Sequence, residues 1–365
     1  MSREFAEKLE KLRGLLVKKR KLGALITRQP NFSWLACGGE ARVALNTDKA
    51  SGYWLVTKNK AYLLANTIEM PRLKSEALAQ LRFEPVEFPW FEPTGLEKTI
   101  KKIVDPKRVL SDSRDIVAQP QPEVFAVLRY SLSREEVERF QHLGKALEAA
   151  MSAAANTVRV EETEHDIAAQ MSAAALAVGV QPVVLLVAVD ERIRRFRHPL
   201  PTGRKLKRHA MLIMCGRHQG LIASMTRTVY FGDLPAGLAR KHKAVCTVDV
   251  AMQQSTRVGA QVRNILQVGV QEYGRMRYPN EWQSHHQGGP CGYLPREYAV
   301  NPKHAGVVQP YQPFTWNPTI SGAKSEDTIL ATPEGIELIT KSQNWPMVEI
   351  VWEGRKYTRY GILER

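Results

Sequence analysis

From Ser133 onward the chain spells two helices, a run of strands, two more helices and further strands, and this doubled order constrains the fold more than any other feature. Ser133 with Glu136 forms a capping box, in which each side chain satisfies a backbone N–H at the other end of the first turn. The helix it opens runs through an Ala-rich stretch to about Asn156, and Thr163-Glu-His-Asp166 starts another that ends near Gly179. Apolar runs of strand character follow at Val183–Asp190, Ala210–Cys215 and Leu221–Phe231. Helices are expected at about 237–256 and 260–275, then strands at 313–318, 327–331, 336–340 and 347–352. The repetition predicts a pseudo-symmetric α+β domain over 132–365.

The first third has a different grammar. Phe5, Leu9, Leu12, Leu15 and Leu16 recur at helical spacing and predict one amphipathic helix over about 3–21. Ala24–Thr27 reads as a short buried strand, and 53–57 with 61–65 as a hairpin around Lys58-Asn-Lys60. Residues 69–81 read as helix and 109–112 as strand. Between 115 and 133, with Pro120 and Pro122, the periodicity fades. An α/β domain over 1–131 is expected, and 365 residues suit two domains at about 150 each.

Composition excludes several classes. With 44% hydrophobic and 24% charged residues the chain is neither disordered nor fibrous. Its longest clean apolar run, Val183–Val189, falls far short of the ~18 residues of a membrane span. The charged opening, 1–8, has no apolar core, so no secretory signal is expected. The four cysteines form no CxxC pair, which points to a reducing cytoplasm. Net charge is +15, and eight basic residues with no acid lie between Arg192 and Arg208. No helix-turn-helix, zinc finger or RNP-like aromatic pattern accompanies that charge, so a nucleic-acid partner is not expected.

Three segments carry chemistry. They are Phe196-Arg-His-Pro through Ser224-Met-Thr-Arg-Thr228, His285-His-Gln-Gly-Gly through Arg296-Glu297, and Phe314-Thr-Trp-Asn-Pro318 through Glu326-Asp-Thr328. In this order and spacing they resemble the pita-bread hydrolases, the creatinase, aminopeptidase P and prolidase family. The region Pro30-Asn-Phe-Ser-Trp-Leu-Ala-Cys-Gly38 resembles part of the creatinase-type N-terminal domain, so the resemblance spans nearly the whole chain. It implies a creatinase-type α/β N-terminal domain, an α+β pita-bread C-terminal domain and a homodimer.

The peptidases of that family hold two divalent metals with Asp, Asp, His, Glu and Glu. Carried onto this sequence, the first Asp position is Ile213 or Met214 and the second is Ser224. The His is kept as His286, the first Glu is replaced by Asn317, and the second Glu is kept as Glu326. Apolar side chains cannot replace bridging carboxylates to a hard cation. The expectation is therefore no cofactor and no dinuclear metal, with room for at most a weak single metal at His286 and Glu326.

Creatinase is a metal-free member that cleaves a C–N bond with a histidine. The stretch around that histidine matches His198-Pro199 and Thr202-Gly-Arg-Lys-Leu206. Creatinase's carboxylates are represented by Met225 and Asn317, so creatine itself is not implied. His285 stands at a glycine position of the family turn, and Arg296 where a histidine is usual. The resemblance thus implies His198, His286 and Glu326 as catalytic residues, with His285, Arg296, Asn317 and Ser224 contacting substrate. Cys215 and Cys291 read as packing thiols. The expected activity is metal-independent hydrolysis of a C–N bond in a small molecule or short peptide, neutral or anionic. The alternatives are a non-catalytic pita-bread binding protein and an Xaa-Pro metallopeptidase with an atypical site.

Overall fold

In the computed structural model, which describes residues 2–114 and 118–365, the helix Arg3–Lys19 turns Phe5, Leu9, Leu12 and Leu16 inward. It stops where Arg20 takes a left-handed conformation, φ 53°, and Lys21 N–H donates back to Leu16 O at 2.9 Å. Behind it lies a six-stranded mixed sheet in the order 84–88, 61–66, 49–57, 23–28, 109–111, 119–120. Trp54 stands in the core between Phe5 and Phe32, each ring 5.6 Å away. Asp112 accepts from Thr27 N–H and from Asn31 Nδ2, both at 2.8 Å, which explains the buried asparagine of the 30–38 segment. The chain divides into compact units 1–136 and 137–365.

The second unit repeats one plan. Helices Arg134–Thr157 and Glu164–Ala177 precede an antiparallel sheet of Gln181–Val189, His209–His218 and Leu221–Tyr230, joined by Ile362–Glu364. Helices Ala236–Ser255 and Val262–Arg275 precede a second sheet of Gly288–Pro290, Gln312–Trp316, Asp327–Thr332 and Gly335–Leu338. Ser133 and Glu136 form the expected capping box, with N–H contacts of 2.7 and 3.2 Å. Gly144 lets the first helix approach so closely that a Cβ there would lie 2.2 Å from Ile339 O. In the second half Val248, Met252, Ile265, Phe314, Trp316 and Ile329 make the core. These two α/β halves are the pita-bread architecture.

Three local expectations need correction. Residues 69–81 are not one α-helix: Met70–Arg72 passes into a wider π turn over Leu73–Ala77. The i→i+5 bond from Leu78 N–H to Leu73 O, 3.0 Å, puts both buried leucines on one face. The region 115–133 contains the helix Pro122–Leu128, anchored by buried Phe125, while 115–117 lie outside the described residues. The C-terminal strands Arg355–Tyr360 and Ile362–Glu364 had no expected counterpart.

Candidate active site

The hairpin Leu221–Tyr230 and the strand Asp327–Thr332 meet where the two halves of the second unit join. Side chains alternate along a strand, and Thr226-Arg-Thr228 and Glu326-Asp-Thr328 use that alternation together. On one face Thr226 Oγ1 donates to Glu326 Oε2 at 2.7 Å, and Ser224 N–H donates to Thr328 Oγ1 at 2.8 Å. On the other face Arg227 bonds Asp327 at 3.0 Å, and Arg359 lies 2.7 Å from Asp327 and 2.5 Å from Asp249, all buried.

Glu326 is buried and wholly engaged. Lys324 Nζ lies 2.8 Å from its Oε2 and Arg296 Nη2 lies 3.1 Å from its Oε1. Burial alone would raise this carboxyl, but Lys324 and Arg296 outweigh it and hold it at about 2. Lys324 is a site residue that motif comparison passed over; its signal was only its place two residues before Glu326.

Beside this triad stand three histidines. His198 comes from the segment after the helical turn Glu191–Arg195, and His285 and His286 from the turn before Gly288–Pro290. Gly288, at φ 102°, makes the turn possible, since a Cβ there would sit 2.2 Å from Thr315 O. His285 Nε2 and His198 Nε2 are 3.1 Å apart, and the His285 and His286 rings stack with centroids 4.4 Å apart. Ring nitrogens of all three lie within 4.8 Å of one another, close enough for one divalent ion to be held by imidazoles alone. Burial, reinforced by Lys324 and the neighbouring imidazoles, pushes His285 down to about 2. Burial and Arg296 push His286 down to about 4, and burial and Lys324 lower His198. All three rings are therefore neutral at pH 7.

The remaining expected residues separate. Asn317 N–H donates to Gln287 O at 3.1 Å, next to His286, while its buried Oδ1 has no partner. Ser224 is directly across the hairpin from Cys215, and its hydroxyl donates to Cys215 Sγ at 3.0 Å rather than to a histidine. Cys215 thus borders the site, whereas Ile213 packs with Leu186, Ala188 and Met211. Burial raises the Cys215 thiol and pushes the Cys291 thiol up to about 12, so neither is a ready nucleophile. Four buried polar atoms around the site have no partner among the described residues: Nδ1 of His285, Nδ1 of His286, Nε of Arg296 and Oδ1 of Asn317.

The two-halved second unit gives the chain a pita-bread fold. Residues 138–333 match metallopeptidase family M24, and the chain belongs to that family. It is 19% identical over 352 residues to an Xaa-Pro dipeptidase of Pyrococcus horikoshii, covering 92% of this chain and 97% of that one. An Xaa-Pro dipeptidase structure from Bacillus anthracis superposes with a TM-score of 0.78 at 18% identity, covering 93% of this chain and 98% of that one. The N-terminal domain of the FACT complex subunit SPT16 from Cicer arietinum superposes with a TM-score of 0.69 at 12% identity, over 93% and 94%.

Proposed function

We propose that this chain is a hydrolase of a C–N bond in a small molecule or short peptide, working by imidazole acid–base chemistry without a dinuclear metal. The observation that carries the reading is the pairing of Glu326 with both Lys324 and Arg296. The dinuclear centre of the family does not fit these residues. Its positions hold Ile213 or Met214, Ser224 and Asn317, and two protein cations already occupy the remaining carboxylate. Adding +4 beside one engaged carboxylate leaves the charge uncompensated in a poorly solvated pocket.

His198, the most exposed of the three rings, is the base: it takes a proton from water as the oxygen adds to the carbon, then returns it to the departing nitrogen. Its contact with His285 orients it. The unpartnered Arg296 Nε and Asn317 Oδ1 offer a donor and an acceptor, which suits an amide-like group. Ser224 and Cys215 fill the space of absent ligands. Cytoplasmic location and a homodimer go with this reading; no disulfide joins the four cysteines, and no helix among the described residues is long and apolar enough to cross a membrane.

The test is elemental analysis of the purified protein together with a panel of Xaa-Pro dipeptides and small amides, assayed with and without chelator. Turnover that survives chelation, with less than stoichiometric metal, supports the reading. Two equivalents of metal and chelator-sensitive Xaa-Pro cleavage overturn it. A second reading, a site that binds without turnover, is favoured by the capture of Glu326 by Lys324 and Arg296; a fully inactive but ligand-binding protein would place it first.

A further inference from the structure

The basic run Arg192–Arg208 is used by the candidate site only through His198. The rest of it builds something separate. Residues 189–194 and 204–209 come together as one wall of a cleft of about 810 Å³, and the start of the helix Ala236–Ser255, with Tyr230, Tyr278 and Ser321, forms the other. That volume lies within the roughly 300–1,000 Å³ of small-molecule clefts.

Charge in the cleft is one-sided. Arg192, Arg194, Arg204, Lys205, Lys207, Arg208, Arg240 and Lys241 line it against only Asp190 and Glu191. Asp190 forms no ion pair with these cations among the described residues. Its carboxylate accepts from the backbone N–H groups of Lys207, Arg208 and His209 at 2.9, 3.0 and 3.0 Å, and so pins the basic segment in place. Arg192 is tied to Glu164, and Arg204 and Lys205 have exposed partners at 3.8 and 3.4 Å. Arg194, Lys207, Arg208 and Arg240 form no ion pair among the described residues. His209, over nine-tenths buried in the same wall, has no hydrogen-bond partner at Nε2. The opposite wall carries the first turn of a 20-residue helix, whose partial positive charge adds to the field. At Gly237 in that turn, the only atom within 4 Å of a would-be Cβ is an Arg240 nitrogen, so a ligand can approach the backbone.

We propose that this cleft is a binding site for a compound carrying two or more linked phosphates. Four exposed cations with no ion pair among the described residues line this one open cleft, and they match a compact polyanion better than an extended nucleic-acid backbone. Tyr230 and Tyr278 also line the cleft.

The test is titration calorimetry of the full chain at 150 mM salt with pyrophosphate, ATP without metal, AMP, sulfate and a 20-nucleotide single-stranded DNA. Pyrophosphate and ATP are expected to bind at micromolar Kd, with AMP and sulfate at least tenfold weaker. Tighter ATP than pyrophosphate identifies a nucleotide; equal affinity identifies the polyphosphate group alone. Arg208→Ala and Arg240→Ala, both at exposed positions, should each weaken binding about tenfold with unchanged melting temperature. No binding at 1 mM, affinity no better than sulfate, tighter binding of the DNA, or indifference to both substitutions overturns the proposal. None of these outcomes depends on turnover.

Discussion

Replacing Glu326 with Gln tests the electrostatic logic of the site directly. The substitution keeps shape and removes the one charge that faces Lys324 at 2.8 Å and Arg296 at 3.1 Å, with Lys324 almost fully buried. Removing one partner of a buried ion pair costs about 3–5 kcal/mol, because the other charge is left without compensation. At about 2–4 °C per kcal/mol for a unit of this size, the melting temperature should fall by roughly 6–20 °C. The depressed carboxyl of Glu326 gives a second figure from the same contacts. A carboxyl with an ordinary value of 4.5 that the fold holds at about 2 contributes about 3 kcal/mol of pH-dependent stability. Because the folded-state value is depressed, that contribution is complete above pH 4.5 and is lost as pH falls toward 2. Thermal unfolding followed by circular dichroism should therefore show a large gap between wild type and Glu326→Gln at pH 7, closing between pH 4.5 and 2.5. Adding Lys324→Met to Glu326→Gln should recover much of the loss, since the buried orphan is then gone. A Glu326→Gln protein that melted with the wild type at pH 7 would refute the reasoning and reopen the carboxylate to a metal.

Other consequences are as direct. His198→Ala should lower any turnover by about 10²–10⁴-fold while leaving the melting temperature nearly unchanged, as the side chain is largely exposed. In wild type the rate should fall with acid as that base protonates, along a limb below the ordinary 6.5, because burial and Lys324 lower His198; a limb above 6.5 would assign the base elsewhere. Arg359→Met should cost about 3–5 kcal/mol by leaving the buried Asp249 without a cation and Asp327 with Arg227 alone, measurable by urea denaturation, and a loss under 1 kcal/mol would contradict the network. Light scattering should give twice the 41.2 kDa chain mass at micromolar concentration; a single-chain mass at all concentrations excludes the homodimer.

The fold was legible because its signals are local. Capping residues marked the starts of the helices at 134–157 and 164–177, the spacing of apolar side chains marked the helix at 3–19, and alternating or continuous apolar runs marked the central strands. What escaped was set by contacts between distant segments. The π turn at 73–77 exists because Leu73 and Leu78 share a face, and the strand 362–364 exists because it pairs with 228–230, over 130 residues earlier.

The site divides in the same way. His198, His286 and Glu326 could be found from motifs, since each sits in a recognisable run of neighbours. Ser224 could also be found, but its engagement with Cys215 depends on hairpin register, which places position 215 rather than 213 or 214 across from it. Sequence alone raised the expectation that most of the family's metal-binding carboxylates are replaced, at Ile213 or Met214, Ser224 and Asn317. Only the tertiary structure decided what stands against the one that remains, because the cations on Glu326 come from Lys324, two residues away, and Arg296, thirty away. Coulomb energy follows distance in space, and a chain spelled out in one dimension does not record which charges the fold brings within 3 Å.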